Sequence, residues 1–192
     1  MIYTTEELNK ELKRINYKKN YIKVLLTSFK TLIFVVAIAI ILVNFVFQTL
    51  KVTGTSMQNT LDNGDYVLLI DKSEYEVGDI IAFYYNNKIL VKRIIAKSSD
   101  YVDIDEDGNV YVNNSKLEED YVINKSIGDC DITLPYQVDD ESYFVLGDSR
   151  EDSLDSRLES IGTVSEENVI GKVILKIYPS LKLVKWKEYY EK

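Results

Sequence analysis

The fold is indicated by residues 80–96, IIAFYYNNKILVKRIIA. Two runs rich in β-branched and aromatic side chains, 80–85 and 89–96, stand on either side of Asn86 and Asn87, a pattern typical of strands separated by a turn. Because no helical periodicity argues for βαβ units, the sequence predicts a mainly β domain over residues 51–192. Comparable short runs recur within it, at residues 66–70, 101–104, 110–112, 143–146 and 169–178.

A long apolar run precedes this domain. Residues 32–50, LIFVVAIAIILVNFVFQTL, contain no charged side chain and are long enough to cross about 30 Å of hydrocarbon as a helix. The run is apolar nearly all round, unlike most buried core helices. It also starts far from Met1 and lacks the small residues expected at a signal-peptide cleavage site. The sequence therefore predicts a retained transmembrane helix over residues 31–50.

Charge is distributed unevenly along the chain. Residues 1–30 have seven basic and three acidic side chains, so the formal charge of −8 divides into +4 for this segment and −12 for the rest. Apolar residues recur at helical intervals from near Thr5, which predicts a basic amphipathic helix. Because basic flanks stay in the cytoplasm, we expect a single-pass protein of the cell membrane with residues 1–30 cytoplasmic and residues 51–192 extracytoplasmic.

The composition excludes several classes of function. The net negative charge disfavours nucleic acid as a partner. The chain has no histidine, which removes the Ser-His-Asp triad and most zinc and haem sites. A single cysteine, Cys130, can form neither an internal disulfide nor a cysteine cage for a metal. We therefore expect neither a cofactor nor a metal site.

Two residues could supply nucleophilic chemistry without histidine. Ser56 follows the apolar run by six residues, and taken alone it is most simply a turn serine. Lys92 alternates with Leu90 and Ile94 on one face of its predicted strand. Such a lysine is either an edge-strand residue pointing into water or a buried amine whose pKa is lowered by burial, as a general base requires. The strand alone leaves both interpretations open.

A third polar segment follows the predicted strand at 143–146. Residues 147–157, GDSREDSLDSR, combine short polar side chains with alternating charges. That composition is typical of a loop held together by its own hydrogen bonds and ion pairs, and also of a solvated surface loop.

Four motifs in order resemble the type I signal peptidases, membrane-anchored serine proteases with a Ser-Lys dyad that remove signal peptides from secreted proteins. Residues 54–65, GTSMQNTLDNGD, are similar to the family pattern G-x-S-M-x-P-T-L-x-x-G-D. Residues 78–83, GDIIAF, and 91–95, VKRII, are similar to the strand entry and the lysine motif. Residues 147–157 resemble G-D-N-R-x-x-S-x-D-S-R. Asn59 and Ser149 depart from the pattern, standing where the family has proline and asparagine.

The resemblance implies a fold and a set of roles. The fold would be a signal-peptidase-like antiparallel β catalytic domain behind one N-terminal transmembrane helix. Ser56 would be the nucleophile, its backbone N–H would stabilise the oxyanion, and Lys92 would be the general base. Ser153 would hold the Lys92 amine by a hydrogen bond. Ion pairs would shape the site, with Arg93 a partner of Asp148, through five side chains: Arg93, Asp148, Arg150, Asp155 and Arg157.

The resemblance also implies the substrate and the partners. A peptide would bind in extended form beside Gly54 and Thr55 on one side and Leu90 and Val91 on the other, with small pockets for small side chains before the cut. The implied partners are the signal peptides of secretory preproteins, the lipid bilayer and the translocation machinery. The alternative is a catalytically inactive, membrane-tethered module of the same fold that binds peptides.

Overall fold

The computed structural model of the chain describes residues 5–184, apart from the side chains of Glu7 and residues 42–46. It divides into two compact units, a helical one that ends at Val46 and a β-rich one that begins at Phe47. The helical unit is one helix, α1 (Thr5–Val46). Among the described residues it is the one helix long and apolar enough to cross a membrane, and its apolar stretch is exposed.

The predicted end of the apolar helix is four residues too late. Residues 47–50 do not continue α1 but form most of the first strand, β1 (Phe47–Lys51), which pairs with the second strand, β2 (Tyr66–Ile70). Phe47 lies opposite Ile70 and Leu50 opposite Val67. The apolar run at 47–50 is compatible with either a helix or a strand. Hydrogen bonding to β2 favours the strand.

The second unit is built from antiparallel strands, which confirms the mainly β prediction. The seven strands predicted from the sequence are present, each within one residue of its expected ends. The strands not predicted are β1 and four of only two residues, which are too short to show a periodicity. After β1 and β2 the strands are β3 (Ile80–Tyr85), β4 (Lys88–Lys97), β5 (Tyr101–Ile104), β6 (Val110–Val112), β7 (Ser115–Lys116), β8 (Tyr136–Gln137), β9 (Ser142–Leu146), β10 (Val164–Ser165), β11 (Val169–Tyr178) and β12 (Lys182–Leu183), with a 3₁₀ turn at Glu166–Asn168.

The strands form two sheets. The larger has the order β1-β2-β11-β3-β4-β9-β10, with β12 beside β11, and the smaller has the order β7-β6-β5-β8. In the larger sheet β4 lies between β3 and β9, so it is an interior strand. The interpretation of Lys92 as an edge-strand lysine is therefore wrong.

Buried apolar side chains connect these elements at two places that matter for the site. One core cluster lies between the sheets, where Ile95 and Phe144 of the larger sheet meet Val102 and Val112 of the smaller. A second cluster contains Met57 and Leu61 together with Val91 of β4. The segment around Ser56 is thereby packed onto the strand that contains Lys92.

Candidate active site

The site centres on Ser56 and Lys92. Lys92 is on β4 and is 2% exposed, whereas Ser56 is half-buried in the turn that follows β1. The Lys92 amine donates a hydrogen bond of 2.6 Å to Ser56 Oγ. A nucleophilic hydroxyl and a candidate base are therefore within proton-transfer distance of each other.

Burial changes the acidity of the lysine. The pKa of Lys92 is lowered from 10.5 to about 8, mainly because desolvation disfavours the charged ammonium, and Arg157 lowers it further. The carboxylates of Asp155 and Asp148 oppose this effect. An amine with a pKa near 8 is neutral in a substantial fraction of molecules at physiological pH and can then accept a proton.

The turn around Ser56 is held by its own backbone and by two buried side chains. The N–H of Gln58 donates to the Thr55 carbonyl at 2.9 Å, and the N–H of Leu61 donates to the Met57 carbonyl at 2.8 Å. Met57 and Leu61 are buried in the core below. Packing and hydrogen bonds together set the direction of the Ser56 side chain.

The conformation of Asn59 explains one departure from the family pattern. Its φ is +85°, in the left-handed region that asparagine tolerates better than most residues. Proline cannot adopt this angle because its ring holds φ near −65°. In this chain the backbone at position 59 therefore requires a residue other than proline.

Ser153 is buried near the site, but it does not bond Lys92 as the resemblance implied. Its Oγ has no hydrogen-bond partner among the described residues. A Cβ added at Gly147 would come 2.2 Å from Ser153 Oγ and 2.6 Å from the Ser56 carbonyl oxygen. The hydroxyl thus lies against Gly147, close to the Ser56 backbone, while the Lys92 amine is directed at Ser56 Oγ.

The expected pair of Arg93 and Asp148 is present. Arg93 Nε donates to Asp148 Oδ1 at 2.8 Å and Arg93 Nη2 donates to Oδ2 at 2.6 Å, with both side chains buried. Thr60 donates to the same carboxylate at 2.5 Å, and Arg93 Nη1 donates to the Gly78 carbonyl at 2.9 Å. This pair joins three segments: the Ser56 turn, β4 and the loop after β9.

Asp155 and Arg157 form a second pair within that loop. Arg157 donates to the two oxygens of Asp155 at 2.8 and 2.9 Å, and Asp155 Oδ2 accepts the Gly147 N–H at 3.0 Å. Arg157 also donates to the Arg150 carbonyl at 2.8 Å. All three charged side chains are buried, so the interpretation of residues 147–157 as a solvated loop is wrong for them.

Three residues of the site are not predicted from the sequence: Thr60, Glu119 and Tyr121. Glu119 is the buried partner of Arg150, and the Tyr121 ring lies under the Arg93 guanidinium, whose Cζ is 4.0 Å from the ring centroid. Burial, together with the negative charge of Glu119, raises the pKa of Tyr121 well above its usual value. The acidic run at 118–120 is typical of an exposed surface segment. Nothing in this run predicts that Glu119 is buried.

A small groove lies beside the two central residues. A cavity of about 50 Å³ is lined by both of them and by residues of the preceding turn and of β4, including Gly54, Leu90 and Val91. Of the four residues predicted to contact substrate, Thr55 is not among its lining residues. Within residues 5–184 no group of three or more acidic or cysteine side chains is arranged to hold a metal ion.

Comparisons with known proteins agree on one family. The model of the family described as signal peptidase, peptidase S26, matches residues 25–178. Signal peptidase I S of Bacillus subtilis (strain 168) is 32% identical over 162 residues, which are 78% of this chain and 87% of that protein. Signal peptidase I T of the same organism is 29% identical over 189 residues, which are 91% and 95% of the two chains. The crystal structure of a signal peptidase I from Enterococcus faecalis V583 is 30% identical, with a TM-score of 0.45, and covers 53% of this chain and 98% of that one.

Proposed function

The chain belongs to the signal peptidase family, peptidase S26, and from that premise we propose that it is a membrane-anchored serine endopeptidase that removes signal peptides with a dyad of Ser56 and Lys92. The observation that supports the dyad most directly is the 2.6 Å separation of Lys92 Nζ and Ser56 Oγ, with the amine buried.

The proposed reaction proceeds through an ester. In the neutral form of the site the Ser56 hydroxyl donates to the Lys92 amine. As Oγ attacks the scissile carbonyl carbon, Lys92 takes the hydroxyl proton and becomes an ammonium. The C–N bond then breaks, and Lys92 returns the proton to the leaving amine. Lys92 next deprotonates a water molecule, whose oxygen attacks the ester carbonyl carbon. The bond between that carbon and Ser56 Oγ then breaks, and Lys92 returns the proton to Oγ.

The oxyanion is assigned to backbone groups. The resemblance implies the N–H of Ser56 as a donor, and Gly54 has no side chain to add a hydroxyl donor to it. The Gly54 N–H donates a hydrogen bond of 3.1 Å to Asn63 Oδ1. The φ of Gly54 is +97°, a value that suits glycine.

The groove supports an extended substrate with a small side chain at the cut. It is lined by the segment after β1 and by residues at the start of β4, and its volume is only about 50 Å³, which favours a small side chain. Leu90 and Val91 line its wall, so the side chain accepted there would be small and uncharged. In this proposal the substrates are signal peptides of secretory preproteins at the membrane, delivered by the translocation machinery.

Anchoring and orientation follow from the helix and the charges. Helix α1 has an exposed apolar stretch of membrane-spanning length, and the basic residues lie in its N-terminal part. By the positive-inside rule, the N-terminus is cytoplasmic and the β-rich unit, residues 47–192, is extracytoplasmic, where the signal peptides of exported proteins are cut.

The experiment is cleavage of a model preprotein by the detergent-solubilised full chain, compared with Ser56→Ala and Lys92→Ala. Wild type is expected to cut after a small residue, and kcat/KM is expected to rise with pH around a midpoint of about 8, because only neutral Lys92 accepts a proton. Both variants should be inactive and still folded at the assay temperature in thermal unfolding scans. A Lys92→Ala variant that still cuts would contradict the dyad, and an inert wild type that binds the peptide would favour the peptide-binding module.

A further inference from the structure

Residues 117–121 lie in none of the four motifs, yet Leu117 and Glu119 are buried and Tyr121 is half-buried. Leu117 is 2% exposed, and its N–H donates to the Val110 carbonyl at 2.9 Å. The Glu119 side chain is fully buried. Burying a carboxylate is costly unless it is paired, so its partners indicate what the segment does.

One partner connects Glu119 to the strand of the lysine. Tyr121 OH donates to Glu119 Oε1 at 2.8 Å, and the face of the Tyr121 ring supports the guanidinium of Arg93, with 4.0 Å between Cζ and the ring centroid. A guanidinium over a desolvated aromatic ring is attracted by the π system. Arg93 follows Lys92 directly on β4.

The other partner connects Glu119 to the loop after β9. Arg150 donates to both carboxylate oxygens of Glu119, at 3.2 Å from Nη1 and by a shorter bond from Nη2. Arg150 Nε also donates to the Gly147 carbonyl at 3.1 Å. The guanidinium is 1% exposed in its side chain, so it keeps a fixed position between Glu119 and Gly147.

These contacts fix a short piece of backbone that touches Ser56. The Asp148 side chain is held by Arg93, and the Arg150 side chain is held by Glu119. Between them, the N–H of Ser149 donates to the Ser56 carbonyl at 3.0 Å. The Ser56 backbone is thus held by Ser149. The side chains on either side of Ser149 are held in place by contacts that lead to Glu119 and Tyr121.

We propose that Glu119 and Tyr121 are positioning residues of the peptidase reaction, which hold Arg93 and residues 147–150 so that Ser56 Oγ stays within reach of the Lys92 amine. This inference rests on the proposed dyad. Neither residue is among those that line the substrate groove. Their loss should therefore lower kcat and leave KM nearly unchanged, since a displacement of about 1 Å at the reacting groups can cost about 100-fold in rate.

The experiment compares four single variants and one double variant of the full chain in detergent, with an internally quenched peptide that has alanine before the cut. Glu119→Gln keeps the shape of the side chain but removes its charge. Tyr121→Leu removes the ring under Arg93, whereas Tyr121→Phe keeps the ring and removes the hydroxyl that donates to Glu119. Tyr143→Phe is the matched control, because Tyr143 OH donates to Glu166 at 2.7 Å in the same unit but away from the dyad.

For Glu119→Gln and Tyr121→Leu we expect kcat about 10- to 100-fold below wild type, with KM within about twofold. Tyr121→Phe should recover most of the loss seen in Tyr121→Leu, and Tyr143→Phe should keep the wild-type kcat. The double variant Glu119→Gln/Tyr121→Leu should lose less than the product of the two single losses, because both act through one loop.

The outcomes of these measurements either support or overturn the positioning role. Thermal unfolding scans show whether each variant is folded at the assay temperature, and if Glu119→Gln is not, the two Tyr121 variants decide. A folded Glu119→Gln or Tyr121→Leu variant whose kcat stays within about twofold of wild type would overturn the positioning role, as would a loss equally large in Tyr143→Phe. Failure of the dyad itself is recognised separately, by an inert wild type or an active Ser56→Ala.

Discussion

Replacing Lys92 by methionine should stabilise the β-rich unit while it abolishes activity. Methionine has a similar length and no charge, so the substitution removes the cost of holding a buried ammonium. That cost follows from the pKa, which is lowered from 10.5 to about 8 by desolvation. At about 1.4 kcal/mol for each pKa unit, the buried charge costs roughly 3 kcal/mol when Lys92 is protonated in both the folded and the unfolded chain.

The pH dependence of this gain has a defined sign. Below pH 8 both states are protonated, and the full cost is present. Between pH 8 and 10.5 the unfolded state binds more protons than the folded state, so the stability of wild type rises with pH. The advantage of Lys92→Met should therefore be about 3 kcal/mol at pH 7, about 2 kcal/mol at pH 9 and close to zero above pH 10.5.

The assay is urea unfolding of the full chain in nonionic detergent, followed by near-ultraviolet circular dichroism at several pH values. Lys172→Met is the matched control, because Lys172 is a buried lysine paired with the buried Asp79. Its removal leaves that carboxylate unpaired and should cost roughly 3 kcal/mol. A Lys92→Met variant less stable than wild type at pH 7, or a gain that does not shrink toward pH 10, would refute the reasoning that desolvation dominates at Lys92.

Two further substitutions test the backbone around Ser56. Gly147→Ala places a methyl group 2.2 Å from Ser153 Oγ and 2.6 Å from the Ser56 carbonyl oxygen. We therefore expect a loss of about 1–3 kcal/mol in unfolding free energy and a clear fall in kcat. An alanine variant with the stability and kcat of wild type would contradict that geometry. Asn59→Gly should be tolerated, because glycine readily adopts the φ of +85° found at this position. Asn59→Pro matches the family pattern but should lower the thermal unfolding midpoint, because proline cannot adopt this angle. Equal midpoints for the two variants would show that the backbone at position 59 is not left-handed.

Much of the fold could be predicted because the patterns that determine it are local. The alternation of β-branched and aromatic residues in 80–85 and 89–96 predicts β3 and β4 nearly to the residue. The helical spacing of apolar residues from near Thr5 and the uninterrupted apolar run after Thr31 together predict α1 except for its C-terminal end. The motifs around Ser56 and Lys92 led to the family that the comparisons show. Each of these signals lies within a few residues of chain and needs no knowledge of distant partners.

Other features depend on segments that are far apart in the sequence. The helix ends at Val46 and not at residue 50, because residues 47–51 find hydrogen-bonding partners on β2. Whether Lys92 is exposed or buried was decided by the neighbours of β4 in the sheet. Glu119 looks like a surface residue in sequence but pairs with Arg150, 31 positions away.

The sequence by itself therefore determined the seven longer strands after β1, each within one residue of its ends, most of the apolar helix, the absence of imidazole chemistry and the family. The tertiary structure alone decided which charges are buried, which side chain the Lys92 amine contacts, and which residues hold the Ser56 turn in place. The physical reason is that strand and helix preferences arise from neighbouring residues, whereas desolvation and ion pairing depend on the whole set of segments that pack around a group.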